Sequence, residues 1–283
     1  MIPLAQAGFK LDQLEPRVLF SDVDGTLVGR GGSLFAAFDG RPTLAAARAL
    51  FAVHRAGLRV VLVSGRTRAR LHETGRLLGI HDAIAELGTV LVVDGTVELL
   101  WGQAPRDLGE TPAQALQRSG ALAWLLETFR GRVELHEPPE DRQGTILLRG
   151  QLQLAQVNVA LAEAGFGWAS LCDNGRFNRP FPHLGSGRTH AYHLMPSGVT
   201  KASTASAYLA RRGFAAAQAA AIGDAPTDLD LAGVVGAMFV VANGTWALDT
   251  ADTGPDAVIT TEGSAGEGWA EAVTALLARL PGA

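Results

Sequence analysis

Short apolar runs that end in polar or small residues recur along the chain, and they constrain its fold more than any other feature. They cover residues 18–20, 60–63, 219–222 and 239–242. Runs of this kind are typical of parallel strands buried on both faces. Helix-like stretches that close near a glycine accompany them, at residues 43–55, 67–78 and 201–212. The alternation predicts an α/β fold with a doubly wound parallel sheet, whose ligands bind beyond the carboxyl ends of the strands.

The middle third of the chain has a different order of elements. Its pattern predicts a helix and two strands, twice over, at residues 111–129, 133–136, 145–149, 152–164, 168–172 and 190–195. This order favours an α+β layer of its own. We therefore predict a core domain of residues 1–99 and 191–283, with an inserted α+β domain of residues 100–190. A Pro/Gly-rich loop is expected inside the insertion at residues 179–187.

Composition argues against several classes of function. The 24 basic and 28 acidic residues give a net charge of −4, which provides no electrostatic basis for binding nucleic acid or an anionic membrane. The single cysteine, Cys172, cannot form an internal disulfide, which favours a reducing cytoplasm. No signal-peptide pattern or apolar run of about 18 residues is present. We expect a cytoplasmic protein, either a monomer or a homodimer.

A hexapeptide, DVDGTL at residues 22–27, directly follows the first apolar run. Asp22, at the strand end, can attack phosphorus and divide one difficult displacement into two easier steps. Asp24 can protonate the leaving group and then deprotonate the attacking water. Gly25 lets the backbone turn so that both carboxylates face one site. A simple strand-end turn is the alternative, because Asp, Gly and Thr are common in turns.

Two further segments can bind an anion. Ser64 and Gly65 precede a helix, where a hydroxyl and a backbone N–H can hold phosphate oxygens, although Ser64 can also be a simple N-cap. Lys201 opens a helix, where a cation opposes the helix dipole unless an anion lies nearby. A solvated surface lysine is the alternative. The chain contains only one other lysine, Lys10, and this scarcity favours a functional role for Lys201.

A second acidic segment, GDAPTD at residues 223–228, follows another apolar run. Asp224 and Asp228 are separated by a tight turn and can meet one cation. Mg²⁺ prefers oxygen ligands, including one or two carboxylates, waters and a substrate phosphate. The alternative is a helix N-cap with acidic residues in the first turn.

Together and in this order, the four segments resemble the motifs of the haloacid dehalogenase superfamily of phosphohydrolases. The resemblance covers about residues 17–95 and 190–262. It implies that Asp22 is the nucleophile and that Asp24 is the general acid and base. The other motif positions are matched by Ser64, Lys201, Asp224 and Asp228. The acid at Asp24 argues against a true dehalogenase, whose reaction needs none at this position.

The resemblance also implies how the site binds its ligands. Mg²⁺ would be held by one backbone carbonyl, that of Asp24, and by the carboxylates of Asp22, Asp224 and Asp228. Phosphate would meet the backbone N–H groups of Val23 and Gly65.

The insertion resembles the cap of the type IIB branch, which includes Cof-type and several sugar-phosphate phosphatases, and we call it the cap below. The resemblance implies magnesium-dependent hydrolysis of a small phosphorylated metabolite, with sugar phosphates as the leading class. Two departures from the branch stand out. Thr227 replaces an Asn that contacts phosphate in many Cof-type members, and its hydroxyl is the candidate substitute. In Glu86-Leu87-Gly88, Leu87 replaces an Asn.

Several other residues are secondary candidates. Arg66 can contact substrate or form a structural ion pair. Asn243 can line the site or start a turn. Arg149 and Arg176 can bind an anionic substrate group. No metal-ligand spacing links the three histidines in or beside the cap, and we expect them to be packed or solvated; they are His183, His190 and His193.

Two other functions are compatible with these motifs. A phosphomutase similar to the eukaryotic phosphomannomutases would use the same pair of aspartates, and phosphate release without a bisphosphate activator separates it from a phosphatase. A non-catalytic binding protein on the same fold would show an eroded motif, and no required acid is missing here.

Overall fold

The computed structural model describes residues 1–177, 181–184, 187–250 and 258–280, without the side chains of residues 249 and 250. Part of the predicted loop at residues 179–187 therefore lies outside the described residues. The described chain forms thirteen strands, β1 (Ile2–Pro3), β2 (Val18–Ser21), β3 (Arg59–Val63), β4 (Asp82–Ala85), β5 (Val90–Val93), β6 (Thr96–Leu99), β7 (Val133–Leu135), β8 (Ile146–Gly150), β9 (Ala169–Arg176), β10 (His190–Pro196), β11 (Ala219–Gly223), β12 (Ala237–Val240) and β13 (Val258–Thr260). Its α-helices, within the same described residues, are α1 (Gly8–Leu11), α2 (Ala45–Ala56), α3 (Arg68–Leu78), α4 (Pro112–Arg118), α5 (Ala121–Thr128), α6 (Leu154–Leu161), α7 (Lys201–Arg212), α8 (Pro226–Leu229) and α9 (Ala265–Leu277).

The large sheet has the strand order β1-β13-β12-β11-β2-β3-β4-β5-β6. In this order, neighbouring strands pair in parallel from β1 at one edge as far as β4. The last two strands, β5 and β6, pair antiparallel and form the other edge. From β2 the chain proceeds to β3 and β4 on one side, and it later returns through β11 on the other side. The crevice between β2 and β11 is thus a topological switch point, where sheets of this kind bind ligands.

Successive residues of the central strands face opposite helical layers. On β2, Leu19 belongs to a buried cluster with α2 and α9, while Phe20 belongs to a second cluster with α7. Trp269 of α9 is fully buried, and its Nε1 donates to Ser21 Oγ at 2.9 Å. Burial on both faces explains why the strands have no polar alternation. The predicted doubly wound α/β core is confirmed.

Glycines end three helices near the predicted positions. Gly57, Gly79 and Gly213 follow α2, α3 and α7 with φ of 71°, 70° and 67°. This left-handed conformation favours glycine and stops the helix. At the start of α7, Thr200 and Ser203 each accept the other's backbone N–H, at 3.0 and 2.9 Å. This capping box sets Lys201, the next residue, as the first residue of the helix.

The cap forms a second sheet, in the antiparallel order β7-β8-β10-β9. Its buried residues form one cluster with α4, α5 and α6. The inserted α+β cap is therefore confirmed. The single helix predicted at residues 111–129 is wrong, because the chain divides there into α4 and α5. Gly120, with φ of 86°, is the N-cap of α5 and interrupts the helix.

The exact domain boundaries, placed from the sequence at residues 100 and 190, stay a prediction. Strand β10 pairs with both β8 and β9, so the whole strand is described with the cap sheet. Among the described helices, none combines the length and the hydropathy needed to cross a membrane.

Candidate active site

Three adjacent strands of the large sheet bring the predicted motif residues together at their carboxyl ends. Asp22 follows β2, Ser64 follows β3 and Asp224 follows β11. These side chains line a cavity between the sheet and the cap. Five other predicted site residues of the core line the same cavity, namely Asp24, Gly65, Arg66, Lys201 and Asn243.

Lys201 lies at the centre of a buried ion-pair network. Its side chain is 1% exposed, and its Nζ donates to Asp22 Oδ1 at 3.3 Å and to Asp228 Oδ1 at 2.6 Å. Burial lowers the pKa of Lys201, but the two carboxylates have the larger combined effect and raise it above its ordinary value. The side chain therefore remains an ammonium beside Asp22 and is not a solvated surface lysine.

Asp228 is held by groups of the protein on both of its oxygens. While Oδ1 accepts from Lys201, Oδ2 accepts the backbone N–H groups of Asp224 and Ala225 at 3.2 and 3.0 Å. A Cβ at Gly223 would lie 2.3 Å from Asp228 Cγ, so the carboxylate packs directly on the end of β11. Asp228 thus shapes the loop that carries Asp224.

Two side chains orient Asp224. Thr26 Oγ1 donates to Asp224 Oδ1 at 3.3 Å, and Asn243 Nδ2 donates to Asp224 Oδ2 at 3.1 Å. The same Nδ2 also donates to the Gly25 carbonyl at 3.0 Å, and Asn243 Oδ1 accepts the backbone N–H of Ala265 at 2.7 Å. Asn243 therefore braces the loops that follow β2 and β11.

The carboxylates of Asp22, Asp224 and Asp228 form a group that fits a cation. One oxygen from each lies within 4.8 Å of the others. Burial raises the pKa of Asp22 well above its ordinary value, and burial together with Asp228 raises the pKa of Asp224 to about 7. Because buried carboxylates oppose one another's ionisation, a bound cation would stabilise their charged forms. Oxygen ligands of this type suit Mg²⁺.

The Asp24 carboxylate lies outside this group and binds Arg66. It accepts from Arg66 Nε at 2.7 Å and from Nη2 at 2.6 Å. Arg66 also donates through Nη1 to Thr74 Oγ1 at 2.8 Å. Of the two roles expected for Arg66, the structure contains the ion pair. The backbone carbonyl of Asp24 accepts no hydrogen bond within the described chain, so it is available to a metal.

Backbone amides around the cavity can bind an anion. The N–H groups of Val23, Asp24 and Gly65 form no hydrogen bond with the described residues. Ser64 Oγ, beside them, accepts one backbone N–H at 3.2 Å. Unbonded amides at the ends of strands favour negatively charged ligands.

Thr227, the other candidate for binding phosphate, does not line the cavity, and its buried hydroxyl has no partner in the described chain. Its contact with phosphate therefore stays a prediction.

Three solved structures have the same fold over nearly the whole chain. The sucrose-phosphatase of a Synechocystis species, in complex with sucrose and phosphate, has a TM-score of 0.65 at 14% identity, covering 93% of this chain and 98% of that one. Protein 0175 of Thermoplasma acidophilum has a TM-score of 0.63 at 17% identity, with coverage of 92% and 98%. A haloacid dehalogenase-like hydrolase of Bacteroides thetaiotaomicron has a TM-score of 0.61 at 17% identity, with coverage of 92% and 98%. At these identities the likeness establishes the fold.

Part of the sequence also matches a family model. The haloacid dehalogenase-like hydrolase model matches residues 176–253, a segment that includes Lys201, Asp224 and Asp228. This segment of the chain is therefore similar in sequence to haloacid dehalogenase-like hydrolases. We find no significant match among curated proteins. The motifs resembled those of capped hydrolases of the phosphatase kind. This resemblance is confirmed for the kind of protein, without naming a substrate.

Two residues of the cap enter the site without having been predicted there. Asn174 lines the cavity, and its Nδ2 lies 2.5 Å from the position of a Cβ at Gly65, so its amide rests on the candidate phosphate loop. Arg142 is buried, and its Nη1 donates to the Gly65 carbonyl at 3.0 Å and to Thr145 Oγ1 at 3.1 Å. Both contacts depend on how the cap lies over the core, which no local pattern in the sequence indicates.

His193 was expected to be packed or solvated, and it is packed against the site. It is 1% exposed, lines the cavity, and its Nδ1 lies 3.0 Å from Thr145 Oγ1. Burial and the positive charges of Arg142 and Lys201 lower the pKa of His193 well below its ordinary value. The imidazole is therefore neutral and carries no charge to the cavity.

Glu86 connects the core to the cap. Its carboxylate is 1% exposed and accepts the backbone N–H groups of Gln143, Gly144 and Thr145 at 3.2, 2.9 and 3.1 Å. A Cβ at Gly144 would lie 1.8 Å from Thr89 Oγ1, so the two chain segments touch directly. No feature of the sequence marks Glu86 for this role beyond its place in a loop after a strand.

The departure at Leu87 has a structural counterpart. Leu87 is 2% exposed and packs with Met195 of β10 and with Val199, which precedes α7, so an apolar contact takes the place of a polar side chain. Cys172 packs against the same cluster, and burial raises the pKa of its thiol to about 11. The thiol is therefore unreactive at neutral pH, as expected for a structural cysteine.

The remaining candidates of the cap have other partners. Arg149 and His183 both bond to Glu134, at 2.5 and 2.9 Å, and His190 bonds to Asp173 at 2.6 Å. None of these three candidates lines the described cavity. Two other cap candidates from the sequence, Arg176 and His193, line the cavity.

Proposed function

We propose that the protein is a magnesium-dependent phosphomonoesterase that acts on a small phosphorylated metabolite through an aspartyl-phosphate on Asp22. One observation carries the proposal. Asp22 bonds to the buried ammonium of Lys201 in the cavity that Asp224 also lines, beside backbone N–H groups that have no partner in the described chain. This arrangement places an oxygen nucleophile, positive charge and anion-binding donors together, as phosphoryl transfer requires.

In the first half-reaction, an Asp22 carboxylate oxygen attacks phosphorus, and the bond from phosphorus to the leaving-group oxygen breaks. Asp24 donates a proton to that oxygen, so an alcohol leaves. In the second, a water oxygen attacks phosphorus while Asp24 accepts a proton from the water. The bond between phosphorus and Asp22 then breaks, which restores the carboxylate and releases inorganic phosphate.

Charge around the nucleophile decides whether this attack is feasible. A carboxylate and a phosphate dianion repel each other, and Lys201, which bonds to Asp22, offsets part of that repulsion. The N–H groups of Val23 and Gly65 would bind the phosphoryl oxygens. Mg²⁺, held by the Asp24 carbonyl and by the carboxylates of Asp22, Asp224 and Asp228, would neutralise charge on the transferring group when bound.

Sugar phosphates are the substrate class that we favour. The motif resemblance to the type IIB branch supports this class, as does the likeness in fold to a sucrose-phosphatase crystallised with sucrose and phosphate. The cavity, with a volume of about 1360 Å³, has room for a sugar beside the phosphate. A cytoplasmic location and a monomeric or homodimeric state stay predictions from the sequence.

The test compares Asp22→Asn with the parent protein. With p-nitrophenyl phosphate and a panel of sugar phosphates, we expect phosphate release that requires Mg²⁺ and stops with EDTA. Asp22→Asn should lose about 10³-fold or more of this activity, because an amide cannot form the intermediate. Asp230→Asn is the matched control, since Asp230 is exposed and does not line the cavity.

Three outcomes would count against the proposal. Phosphate release by Asp22→Asn at the parent rate, with the variant's melting temperature unchanged, would remove Asp22 from its role. Release that is indifferent to EDTA would remove the metal. Turnover that transfers phosphate within a sugar only when a bisphosphate activator is present would indicate a phosphomutase instead.

A further inference from the structure

The cavity above the candidate catalytic centre is much larger than a phosphate group requires. Its volume is about 1360 Å³, and its walls come from the core and from the hairpin formed by β9 and β10 of the cap. Pockets for drug-sized ligands typically measure about 300–1000 Å³. The cavity therefore has room, against the cap hairpin, for the part of a substrate that is not transferred.

Outside the catalytic centre, the charged side chains that line the cavity are all positive among the described residues. Apart from Asp22, Asp24 and Asp224 of the catalytic centre, no carboxylate among the described residues lines the cavity. Six guanidinium groups do, those of Arg30, Arg66, Arg70, Arg142, Arg176 and Arg188. For a chain whose net charge is −4, this is a pronounced local excess of positive charge.

Three of these arginines form ion pairs with carboxylates. Arg66 forms its bidentate pair with Asp24, and Arg142 bonds to Glu137. Arg70 lies 3.5 Å from the other oxygen of Glu137. Two carboxylates thus offset most of the charge of these three guanidinium groups and leave one positive charge uncompensated.

The other three, Arg30, Arg176 and Arg188, form no ion pair with any described residue. Arg176 ends β9, where it pairs with His190 of β10, and Arg188 lies two residues before His190. Both therefore belong to the free end of the same hairpin, while Arg30 reaches the cavity from the core. Like charges that share a cavity repel one another unless an anion lies between them.

One further contact places this hairpin over the core, and one buried polar group beside it has no partner in the described chain. The Arg176 guanidinium lies 5.7 Å from the ring centre of Trp246, an aromatic residue of the core that also lines the cavity. Thr189, next to Arg188, is 3% exposed and lines the cavity, and its buried hydroxyl has no hydrogen-bond partner in the described chain. A buried hydroxyl without a partner is unfavourable by itself, so it favours a ligand that can accept or donate there.

We propose that this hairpin binds a second anionic group of the substrate, a carboxylate or a second phosphate, through Arg176 and Arg188, with Arg30 on the facing wall. The inference rests on the proposed phosphatase function and narrows it, because the substrate then carries negative charge at both ends. Planar guanidinium groups bind carboxylates and phosphates through paired hydrogen bonds, which gives selectivity for such groups over hydroxyls.

The test measures phosphate release from matched substrates in two series. The three-carbon series compares glycerol 3-phosphate with 3-phosphoglycerate. The six-carbon series compares glucose 6-phosphate with 6-phosphogluconate and with glucose 1,6-bisphosphate. We expect kcat/KM to be at least about tenfold higher for an anionic partner in one series, and the preference to fall as salt is added. Comparing 6-phosphogluconate with glucose 1,6-bisphosphate shows whether the subsite prefers a carboxylate or a second phosphate.

The variant Arg176→Gln/Arg188→Gln should bring the ratio of kcat/KM between anionic and neutral substrates close to one. Arg55→Gln is the matched control, because Arg55 is exposed on α2, away from the cavity, and should leave the ratio unchanged. If the double variant does not fold, the same ratio of kcat/KM is measured for the two single variants and for the parent protein in both series.

Equal use of neutral and anionic substrates in both series would overturn the subsite while leaving the phosphatase intact. So would a double variant that lowers both activities by the same factor. Absence of phosphate release from every compound would instead reject the proposed function. In that case, calorimetric titration of the parent protein with 6-phosphogluconate and glucose 6-phosphate still decides the subsite, since equal affinity for the two compounds rejects it.

Discussion

At the scale of single residues, Gly25 shows how closely the site is built. Its φ is 85°, and a Cβ there would lie 2.4 Å from Asp224 Oδ2. Its carbonyl accepts from Asn243, which also holds Asp224. The turn after the proposed nucleophile, Asp22, and the candidate metal ligand Asp224 therefore occupy adjacent space, and only glycine suits both conditions.

The substitution Gly25→Ala is predicted to displace Asp224. Because small displacements of catalytic groups have large effects on rate, we expect kcat/KM to fall by about 10-fold or more. The Mg²⁺ concentration that gives half-maximal activity should rise as well. Both quantities follow from phosphate release measured over a Mg²⁺ series.

Gly57→Ala is the control for backbone strain. Gly57 also has a positive φ, 71°, but nothing lies within 4 Å of a Cβ there. Both variants should lose about 1 kcal/mol of stability from the strained conformation, and only Gly25→Ala should lose activity. Equal activity losses in the two variants would show that the contact with Asp224 is unimportant.

At the scale of elements, the loop after β4 joins the two parts of the molecule. Glu86 and Leu87 both have positive φ, 50° and 57°, which is unusual for residues other than glycine. This conformation lets Glu86 accept three backbone N–H groups from the cap segment before β8. The strain is offset by those hydrogen bonds and by the burial of Leu87.

Glu86→Gln should therefore weaken the attachment of the cap. One oxygen becomes an NH₂ group that cannot accept, which leaves a buried backbone N–H unpaired and reduces the free energy of unfolding by about 1–3 kcal/mol. Urea denaturation measures this loss. Limited proteolysis at the connections between core and cap should also become faster.

Glu271→Gln is the control, because Glu271 also accepts two backbone N–H groups, those of Glu262 and Gly263, but is only half-buried. Its substitution should have a smaller effect, since water can replace the lost acceptor. A loss for Glu86→Gln no greater than that for Glu271→Gln would contradict the role of the buried carboxylate.

At the scale of the whole molecule, the carboxylates at the site link stability to pH and to metal. The pKa of Asp224 rises from its ordinary value of 3.8 to about 7, chiefly through burial. The unfolded chain then loses this proton near pH 4 and the metal-free fold loses it near pH 7. Between these values the folded state binds more protons, so the stability of the metal-free protein falls as the pH rises. Lys201 stays charged throughout this interval, because its pKa is raised.

We therefore predict that Mg²⁺ raises the melting temperature more at pH 8 than at pH 5. At pH 8 the metal meets ionised carboxylates whose repulsion it relieves, whereas at pH 5 it must displace a proton from Asp224. Thermal unfolding with Mg²⁺ and with EDTA, at both values, measures the two shifts. Asp224→Asn should reduce the shift and its pH dependence, and an equal shift at pH 5 and pH 8 would contradict the linkage.

Much of the core could be predicted because its signals are local. The apolar runs of β2, β3 and β11 and the glycines after α2, α3 and α7 depend on a few adjacent residues, and the structure has them where they were expected. The cap was harder. The break between α4 and α5 depends on the left-handed conformation of Gly120, and a glycine within a helical pattern does not by itself show whether the helix continues.

The sequence by itself determined the type of sheet, the inserted cap and the positions of the acidic and basic motif residues, because strand burial and strand-end chemistry leave patterns within a few residues. Only the tertiary structure decided which groups meet. Lys201 bonds to Asp22 across 179 positions, Asp24 takes Arg66 as its partner, and the cap hairpin brings Arg176 and Arg188 over the cavity. Contacts between residues so far apart depend on the packing of the cap on the core, and no single stretch of sequence encodes that packing.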